Sequence, residues 1–136
     1  MSMDPNAWAE DAPDTARTRL PAGAHLCSKV WLERDGKVVL SDWRVELLEA
    51  VEQTGSLSSA ARRLGVPYKT AWYKLKEIQE RSGLRLLETQ SGGTHGGGSR
   101  LTPAGRNLVA RFRRASRDIA RLVDERFRAE FDDLLS

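Results

Sequence analysis

A run of hydrogen-bonding and positively charged side chains follows Pro67, and no acidic residue interrupts it before Glu77. Ammonium groups neutralise phosphates, and hydroxyl groups bond to base edges or to sugar oxygens. Side chains of these types on one face of a helix suit a ligand that is negatively charged and has readable edges, as a nucleic-acid duplex does. The run consists of Lys69, Thr70, Tyr73, Lys74 and Lys76.

The apolar residues of the same segment predict a helix that turns this run outward. Ala71, Leu75 and Ile78 recur at steps of four and three, which places them on one side of a helix. Pro67 suits the first helical position because its missing N–H costs nothing there. We therefore expect the three apolar side chains to be buried and the polar ones to be exposed.

A shorter amphipathic helix precedes this one, and the connection between them is brief. Gly65 suits a helix end at positive φ, and Val66 is pushed toward extended geometry because Pro67 follows. The two helices must then pack closely across each other, which predicts a helix-turn-helix whose second helix fits a major groove. The apolar side of the first helix consists of Leu57, Ala60, Ala61 and Leu64.

Positive charge is concentrated in the part of the sequence that holds the helix pair. Residues 57–114 contain twelve Lys and Arg but three Asp and Glu, a net charge of +9, whereas the rest of the chain carries −6. The modest total of +3 therefore conceals a polarised chain. Because such a region neutralises phosphates, double-stranded DNA is the expected partner.

Two other classes of protein remain open at this point. Helix pairs with a short turn occur in many all-α proteins, so a protein-interaction adaptor is one alternative. A non-specific architectural or RNA-binding protein, which uses the same charge without base readout, is the other. Binding that is insensitive to DNA sequence would favour either alternative.

The sequence before the helix pair predicts a hairpin and one further helix. From His25 onward two sets of side chains alternate as on the two faces of a strand with one covered face. They are Leu26, Ser28, Val30 and Leu32 on one face and Cys27, Lys29, Trp31 and Glu33 on the other. Asp35-Gly36 supplies a turn, and residues 38–40 return as a second strand. Ser41 or Asp42 then caps a helix. The buried stripe expected on that helix consists of Trp43, Leu47, Leu48, Val51 and Thr54.

A glycine-rich segment follows the helix pair. Residues 84–89 and 100–102 are predicted to be extended on either side of the tip SGGTHGGGS, an arrangement typical of a wing. Glycine amides and Arg100 suit contact with phosphates or with an adjacent minor groove, and a floppy surface loop is the alternative for the tip. A nucleotide-binding loop is excluded because the glycines lack a Gly-Lys-Ser/Thr ending and no helix follows them at once.

The last segment predicts one long helix. Thr102 suits its cap and Pro103 its first position, and no later proline interrupts it. Its apolar stripe is too large to stand alone, so we expect it to pair with the same helix of a second chain, with packing across its own domain as the alternative. The expected homodimer interface consists of Leu108, Phe112, Ala115, Ile119, Leu122 and Phe127.

Together these elements predict a mainly α (α+β) fold, a winged helix-turn-helix with an N-terminal β-hairpin and a long C-terminal dimerisation helix. The expected parts are a disordered tail over residues 1–24, a DNA-binding domain over residues 25–102 and the dimerisation helix over residues 103–136.

Composition argues against several other classes. A single cysteine, Cys27, excludes an intramolecular disulfide and suits a reducing cytoplasm. No apolar run approaches the roughly 20 residues that span a bilayer, and the N-terminus lacks the apolar stretch of a secretory signal. With two histidines and no Ser-His-Asp or Cys-His arrangement, the sequence offers neither a catalytic nor a metal site. We expect a cytoplasmic protein that is not an enzyme and does not enter membranes.

Two motifs resemble those of a known family. The stretch GVPYKTAW, from Gly65 to Trp72, resembles the recognition-helix motif of the ModE family of molybdate-responsive transcriptional regulators. The stretch SGGTHGGGSRLTPAG resembles that family's glycine-rich wing and the start of its linker helix, and its LTPAG part is shared with the LysR-type regulators. The likeness covers roughly residues 25–134. It implies a winged helix-turn-helix dimer, held by its terminal helices, that binds a roughly palindromic operator.

The resemblance also implies roles for particular residues. By the family's motif, Tyr68, Lys69, Thr70 and Tyr73 would lie near base edges, and the wing would contact the DNA backbone. The full set of candidate DNA-binding residues is Ser58, Pro67, Tyr68, Lys69, Thr70, Tyr73, Lys74, Lys76, Thr94, His95 and Arg100.

Regulators of this family commonly continue into a C-terminal domain that binds molybdate, whereas this sequence ends at Ser136. We therefore expect no cofactor on this chain. Either a separate oxyanion-sensing protein conveys the molybdate signal to it, or the chain acts without a small-molecule effector.

Overall fold

The computed structural model describes residues 19–90 and 98–135 of the chain. Contacts divide these residues into two compact units. One covers residues 28–119, and the other is formed by residues 19–27 and 120–135. The tail predicted to be disordered lies outside the described residues except for its last six.

Four helices and two short hairpins follow one another along the described residues. The first hairpin pairs β1 (Leu32–Arg34) with β2 (Lys37–Leu40), and three helices follow it: α1 (Asp42–Thr54), α2 (Leu57–Leu64) and α3 (Tyr68–Ser82). The second hairpin pairs β3 (Leu87–Gln90) with β4 (Gly98–Leu101), and α4 (Pro103–Phe131) and a 3₁₀ turn (Asp132–Leu134) come last. This order confirms the predicted winged helix-turn-helix fold.

The first hairpin is shorter than predicted. The turn at Asp35-Gly36 is confirmed, with φ of 52° and 76°. The first strand, however, begins at Leu32 rather than near His25, and its three residues are exposed. The reason is that Leu32 already pairs with Leu40, the last residue of β2, so earlier residues have no strand to pair with. The predicted alternation before Leu32 therefore does not produce a covered strand face.

Side-chain caps fix where α1 and α2 begin. Ser41 Oγ accepts a hydrogen bond from the Arg44 N–H at 3.3 Å, and Ser56 Oγ accepts one from the Ser59 N–H at 3.0 Å. Gly65 ends α2 at a φ of 69°, as predicted. Such caps stabilise a helix by about 1 kcal/mol each.

Helix α3 begins one residue later than predicted, so Pro67 precedes it. It is the N-cap of α3 rather than the first helical residue, because its ψ of 146° is extended. Its carbonyl accepts the first helical hydrogen bond from the Ala71 N–H at 3.2 Å, and Tyr68 is the first helical residue.

The core of the unit formed by residues 28–119 lies between α1, α2, α3 and the strands. The α1 prediction is confirmed for Leu47, Leu48 and Val51, while Trp43 is half-buried against the core and Thr54 is half-buried. Burying a Leu, Val or Ile side chain stabilises the fold by about 1.5–3 kcal/mol. The largest fully buried side chains are Leu40, Val45, Leu47, Leu48, Val51, Ile78 and Leu86.

The second hairpin, which we call the wing, is fastened to the helices through its backbone. The Ser99 N–H donates to the Gly55 carbonyl at 2.7 Å. A Cβ atom on Gly98 would lie 2.9 Å from the same oxygen, so glycine permits this close approach. The wing tip, residues 91–97, lies outside the described residues, and so do the predicted contacts of Thr94 and His95.

The long C-terminal helix begins as predicted. Thr102 Oγ1 accepts from the Gly105 N–H at 3.0 Å, and Pro103 is the first helical residue. Of the predicted interface residues, Phe112 is buried in the core and Leu108 packs against it. The next three, Ala115, Ile119 and Leu122, are exposed, and Phe127 is half-buried and stacks on Phe131.

We predict that Gly105→Ala destabilises the protein, although alanine favours helices by about 1 kcal/mol over glycine. An added Cβ would lie 2.7 Å from the Leu86 carbonyl oxygen, so backbone must move. We expect the free energy of unfolding to fall by about 1–3 kcal/mol, measured by urea titration with circular dichroism.

Ala110→Ser is the matched control, because Ala110 is exposed on the same helix. Its effect should stay within ~0.5 kcal/mol. A Gly105→Ala protein as stable as the wild type, or more stable, would contradict the close approach of α4 to Leu86.

Candidate nucleic-acid interface

Helix α3 turns different sets of side chains in different directions, because successive residues are rotated by about 100°. The buried side consists of Ala71, Leu75 and Ile78, as predicted. The opposite side, which we call the outer face, consists of Lys69, Tyr73 and Lys76, and all three are exposed. The prediction for this helix is confirmed for its apolar side and for these three exposed residues, whereas Thr70 and Lys74 are half-buried.

Aromatic rings position the two lysines of the outer face. Lys69 Nζ lies 5.9 Å from the centroid of the Tyr73 ring, and Lys76 Nζ lies 5.4 Å from that of the Trp72 ring. The two rings meet edge to face with centroids 5.2 Å apart. Exposed cation–π contacts stabilise by about 0.5–1 kcal/mol, so the ammonium groups are positioned without losing their charge.

The lysines of α3 differ in how far a carboxylate already neutralises them. Lys74 Nζ lies 3.8 Å from Glu77 Oε2, and Lys76 Nζ lies 3.9 Å from Glu80 Oε1. Among the described residues, no ion pair involves Lys69. Lys69 is therefore the cation of this helix most available to a phosphate.

A cleft of about 490 Å³ separates the N-terminal half of α3 from the wing. Tyr68 and Trp72 line it from the helix, and Arg85 and Thr89 line it from the chain around β3. Trp72 is 42% exposed, so it lines the cleft and is not a core residue. Tyr68 is exposed as well.

Gln79 accounts for the shape of this cleft. Its Oε1 accepts hydrogen bonds from the backbone N–H groups of Leu86 at 2.9 Å and Leu87 at 3.3 Å. The start of the wing is thereby held against the C-terminal half of α3. The N-terminal half, with Tyr68 and Trp72, stays uncovered.

An ion pair joins the other flank of α3 to α1. Arg44 Nη2 lies 2.7 Å from Glu77 Oε2, and the Arg44 side chain is 9% exposed. Arg81 adds a longer contact to Glu77 at 3.7 Å, and its Nη1 donates to the Val38 carbonyl at 2.7 Å. Helix α3 is thus connected to both α1 and the first hairpin.

The surroundings of Glu77 favour its charged form. The hydrogen bond from Arg44 holds the pKa of Glu77 below its ordinary value of 4.5. Desolvation opposes this effect, and the positive charges of Lys74, Arg44 and Arg81 reinforce it. Glu77 is therefore ionised at neutral pH and serves as the anionic centre of three cations.

Two further ion pairs fix α4 to α1, and sequence reasoning missed them. Arg113 Nη2 lies 2.5 Å from Glu49 Oε1, and these hydrogen bonds raise the pKa of Arg113. Arg106 Nη1 lies 3.3 Å from Glu52 Oε1, while Glu52 Oε2 accepts from the Leu101 N–H at 2.7 Å. These partners are about 50 or more residues apart in sequence, so no local pattern signals them.

The remaining predicted residues lie around the outer face. Thr70 is half-buried, whereas Ser58 and Pro67 are exposed. Arg100 is exposed on β4, where its Nε lies 3.4 Å from Glu88 Oε2 on β3. A phosphate that binds Arg100 must therefore compete with an exposed ion pair, which is a weak interaction.

Residues 19–90 and 98–135 contain neither a metal site nor a membrane span. No group of three or more His, Cys, Asp or Glu side chains lies where it would hold a metal ion. No helix in this part of the chain is both long and apolar enough to cross a membrane.

Comparison with known families defines the class of this domain. Residues 44–106, which run from α1 to the first turn of α4, match the family described as bacterial regulatory helix-turn-helix protein, lysR family. This stretch contains the helix-turn-helix and the wing strands. The fold is therefore that of a winged helix-turn-helix domain, and the sequence of this stretch is similar to the LysR family.

Curated relatives confirm the resemblance to ModE proteins. The chain is 38% identical over 94 residues to the molybdenum-pterin-binding protein MopB of Rhodobacter capsulatus, covering 69% of this chain and 34% of MopB. It is 37% identical over 86 residues to the molybdenum transport protein ModE of Azotobacter vinelandii, covering 63% of this chain and 32% of that ModE. The chain thus spans about a third of the length of these relatives.

A solved structure shares the fold. The crystal structure of the CbnR_DBD–DNA complex matches with a TM-score of 0.50 and 27% sequence identity. The match covers 66% of this chain and 97% of that one. The protein in that crystal is bound to DNA.

We predict that Glu77→Gln destabilises the protein at neutral pH by about 1–3 kcal/mol, because the buried Arg44 guanidinium loses its charged acceptor. The folded-state pKa of Glu77 is lowered, so its stabilising effect is complete above the unfolded-state value. The effect is lost as the pH falls from about 4.5 through the lower folded-state pKa. Urea titrations at pH 7 and pH 3 should show a smaller difference between variant and wild type at pH 3.

Glu80→Gln is the control, since Glu80 is exposed on the same helix and its pair with Lys76 is long. It should change the free energy of unfolding by less than ~0.5 kcal/mol at either pH. If both variants lost the same free energy of unfolding at pH 7, the contact between Glu77 and Arg44 would contribute no more to stability than an exposed ion pair.

Proposed function

We propose that this chain regulates transcription by binding double-stranded DNA at specific sequences, with α3 in the major groove and the wing on the backbone. The observation that carries the proposal is the exposed outer face of α3, in which Lys69 has no carboxylate partner among the described residues and Tyr73 is half exposed. A helix with exposed cations and hydroxyl groups matches the dimensions and chemistry of the groove.

The chemistry of the residues suggests a division of roles. Lys69 is a flexible point charge and suits a phosphate, although the ModE motif also places it near base edges. Thr70 and Tyr73 have hydroxyl groups that bond to base edges, and the rings of Tyr68 and Trp72 offer apolar contact to thymine methyl groups from the cleft. Arg100 suits a phosphate next to the wing.

The relatives support the DNA-binding part of this proposal. The CbnR domain of similar fold was crystallised with DNA, and its sequence is 27% identical to this chain. The names of MopB and ModE concern molybdenum. We extend to this chain only the DNA-binding function, because it spans about a third of those proteins. We place its action in the cytoplasm, where bacterial DNA is, and assign it no catalytic activity.

We also propose that the chain acts as a homodimer. Ile119 is 39% exposed and Leu122 is 55% exposed, and they lie one turn apart on α4. Exposed apolar side chains at this spacing favour pairing with a second copy of the helix. Two copies would present two recognition helices to the half-sites of a palindrome.

We predict that Lys69→Ala and Arg100→Ala each weaken DNA binding. Both should lower affinity about equally for selected and unrelated duplexes, and each should reduce the slope of log affinity against log salt by about 1. The measurement is fluorescence anisotropy with a duplex selected from a random library by the wild-type protein. Circular dichroism should show unchanged helix content.

Lys37→Ala is the matched control. Lys37 lies next to Val38 on β2, and the Val38 carbonyl accepts a hydrogen bond from Arg81 near the C-terminal end of α3. Lys37 is therefore far from Lys69, which lies near the N-terminal end of the same helix. Its affinity for DNA should equal that of the wild type. Wild-type affinity in both Lys69→Ala and Arg100→Ala would refute the placement of α3 and the wing.

We predict a different effect for Thr70→Ala and Tyr73→Phe, which remove hydroxyl groups. Base-edge contacts are worth about 1–3 kcal/mol of discrimination, so affinity for the selected duplex should fall while affinity for random duplex stays constant. Competition between the two duplexes measures the ratio. If the variants lost equal affinity for both duplexes, an architectural protein would be favoured. If the wild type itself bound DNA weakly and without sequence preference, a protein-interaction adaptor would be favoured.

We predict that Leu122→Ser raises the dimer dissociation constant at least about tenfold, because the exposed leucine would lose apolar contact in the interface. Arg117→Ser is the control, since Arg117 lies about 140° around the helix from Leu122. Sedimentation equilibrium measures both. A wild-type protein that is monomeric at micromolar concentration, or a Leu122→Ser dimer of unchanged strength, would contradict the homodimer.

A further inference from the structure

A pocket of about 600 Å³ opens beside the first hairpin, away from the wing cleft described above. Residues from four parts of the unit line it: the chain before β1, strand β2, the start of α1 and the middle of α3. The rings of Trp31 and Trp43 and the side chain of Val38 form apolar walls. The volume is enough for a molecule of two fused rings.

Three cations line the same pocket: Lys29, Arg44 and Lys74. Asp and Glu are absent from its lining in the described part of the chain. Apolar walls with a few convergent charges are typical of sites for small ligands. The charges here have one sign, which favours an anion.

The hydrogen bonds of Arg44 are a second observation that favours an anion here. Its side chain is 9% exposed, and one of its terminal nitrogens, Nη2, donates to Glu77 at 2.7 Å. The other, Nη1, is buried and has no hydrogen-bond partner within residues 19–90 and 98–135. A buried guanidinium N–H without an acceptor is unfavourable. Because Arg44 lines the pocket, an acid group bound there that reached Nη1 would relieve that cost.

Two carboxylates near the pocket do not cancel its charge. Glu77 is shared between Arg44, Lys74 at 3.8 Å and Arg81 at 3.7 Å. Glu33 accepts from Trp31 Nε1–H at 2.6 Å, so Trp31 offers a ligand its ring rather than its N–H. Lys29 has no ion pair among the described residues, and an excess of positive charge remains.

We propose that this pocket binds a small aromatic anion, with its rings against Trp31 and Trp43 and its carboxylate or sulfonate on Arg44, Lys74 and Lys29. Aromatic faces hold a flat ring, and charge-assisted hydrogen bonds hold its acid group. The ligand would also contact α3 through Lys74. The binding itself is separate from the proposed function, and it is tested without DNA.

The test uses 2-naphthoate as the probe and the full chain labelled with ¹⁵N. The indole N–H signals of Trp31 and Trp43 should shift and saturate as 2-naphthoate is added, while the signal of Trp72 stays in place. The neutral analogue 2-naphthalenemethanol should bind at least about tenfold more weakly, because it lacks the charge that the cations recognise. Inorganic sulfate, which has the charge without the ring, should also bind more weakly.

Variants locate the anion. Lys29→Ala and Lys74→Ala should each weaken 2-naphthoate binding by about three- to tenfold, measured by isothermal titration calorimetry. Lys37→Ala, which removes a lysine of the same hairpin outside the pocket, should leave the affinity unchanged. The proposal is overturned if the alcohol binds as tightly as the acid, if neither lysine variant weakens binding, or if Trp72 shifts instead of Trp31 and Trp43.

Discussion

Burial of one side of α3 is the constraint on which the rest of the structure depends. Ala71, Leu75 and Ile78 are covered by the core, and burial of a side chain such as Ile78 contributes about 1.5–3 kcal/mol. Because a helix cannot change the relative directions of its side chains, this burial turns Lys69 and Tyr73 toward solvent. If α3 were rotated by half a turn about its axis, the lysine ammonium groups would be buried without partners. That costs far more free energy than burial of the apolar side contributes.

Polar contacts on both flanks set the position of α3 more narrowly than apolar packing does. On one flank, Glu77 binds the guanidinium of Arg44, and on the other, Gln79 binds the backbone of the wing at Leu86. Hydrogen bonds require particular distances and angles, whereas apolar contacts tolerate small rotations. The same flanks create two hollows, the cleft between α3 and the wing and the pocket beside the first hairpin. The interface and the proposed ligand site therefore both follow from how one helix is held.

Local sequence patterns predicted most of the fold and the exposed part of the site. The caps at Ser56 and Thr102 and the buried stripe of α3 depend on neighbours within a few residues, so periodicity and capping rules were sufficient. The exposure of Trp72 was not predictable, because it depends on where Gln79 holds a strand seven residues away. Partners of the ion pairs are up to 64 residues apart. Such pairs arise only when the chain is folded, and no spacing rule identifies them.

In the proposed mode of binding, the outer face of α3 meets the edges of base pairs. The most direct measurement is photo-cross-linking from this face, with Tyr73 replaced by p-azidophenylalanine and the protein bound to a duplex that the wild type has selected. We expect cross-links to bases within the selected site, and none when the same group replaces Lys37. Cross-links from position 37 but not from position 73 would mean that another surface of the protein faces the DNA.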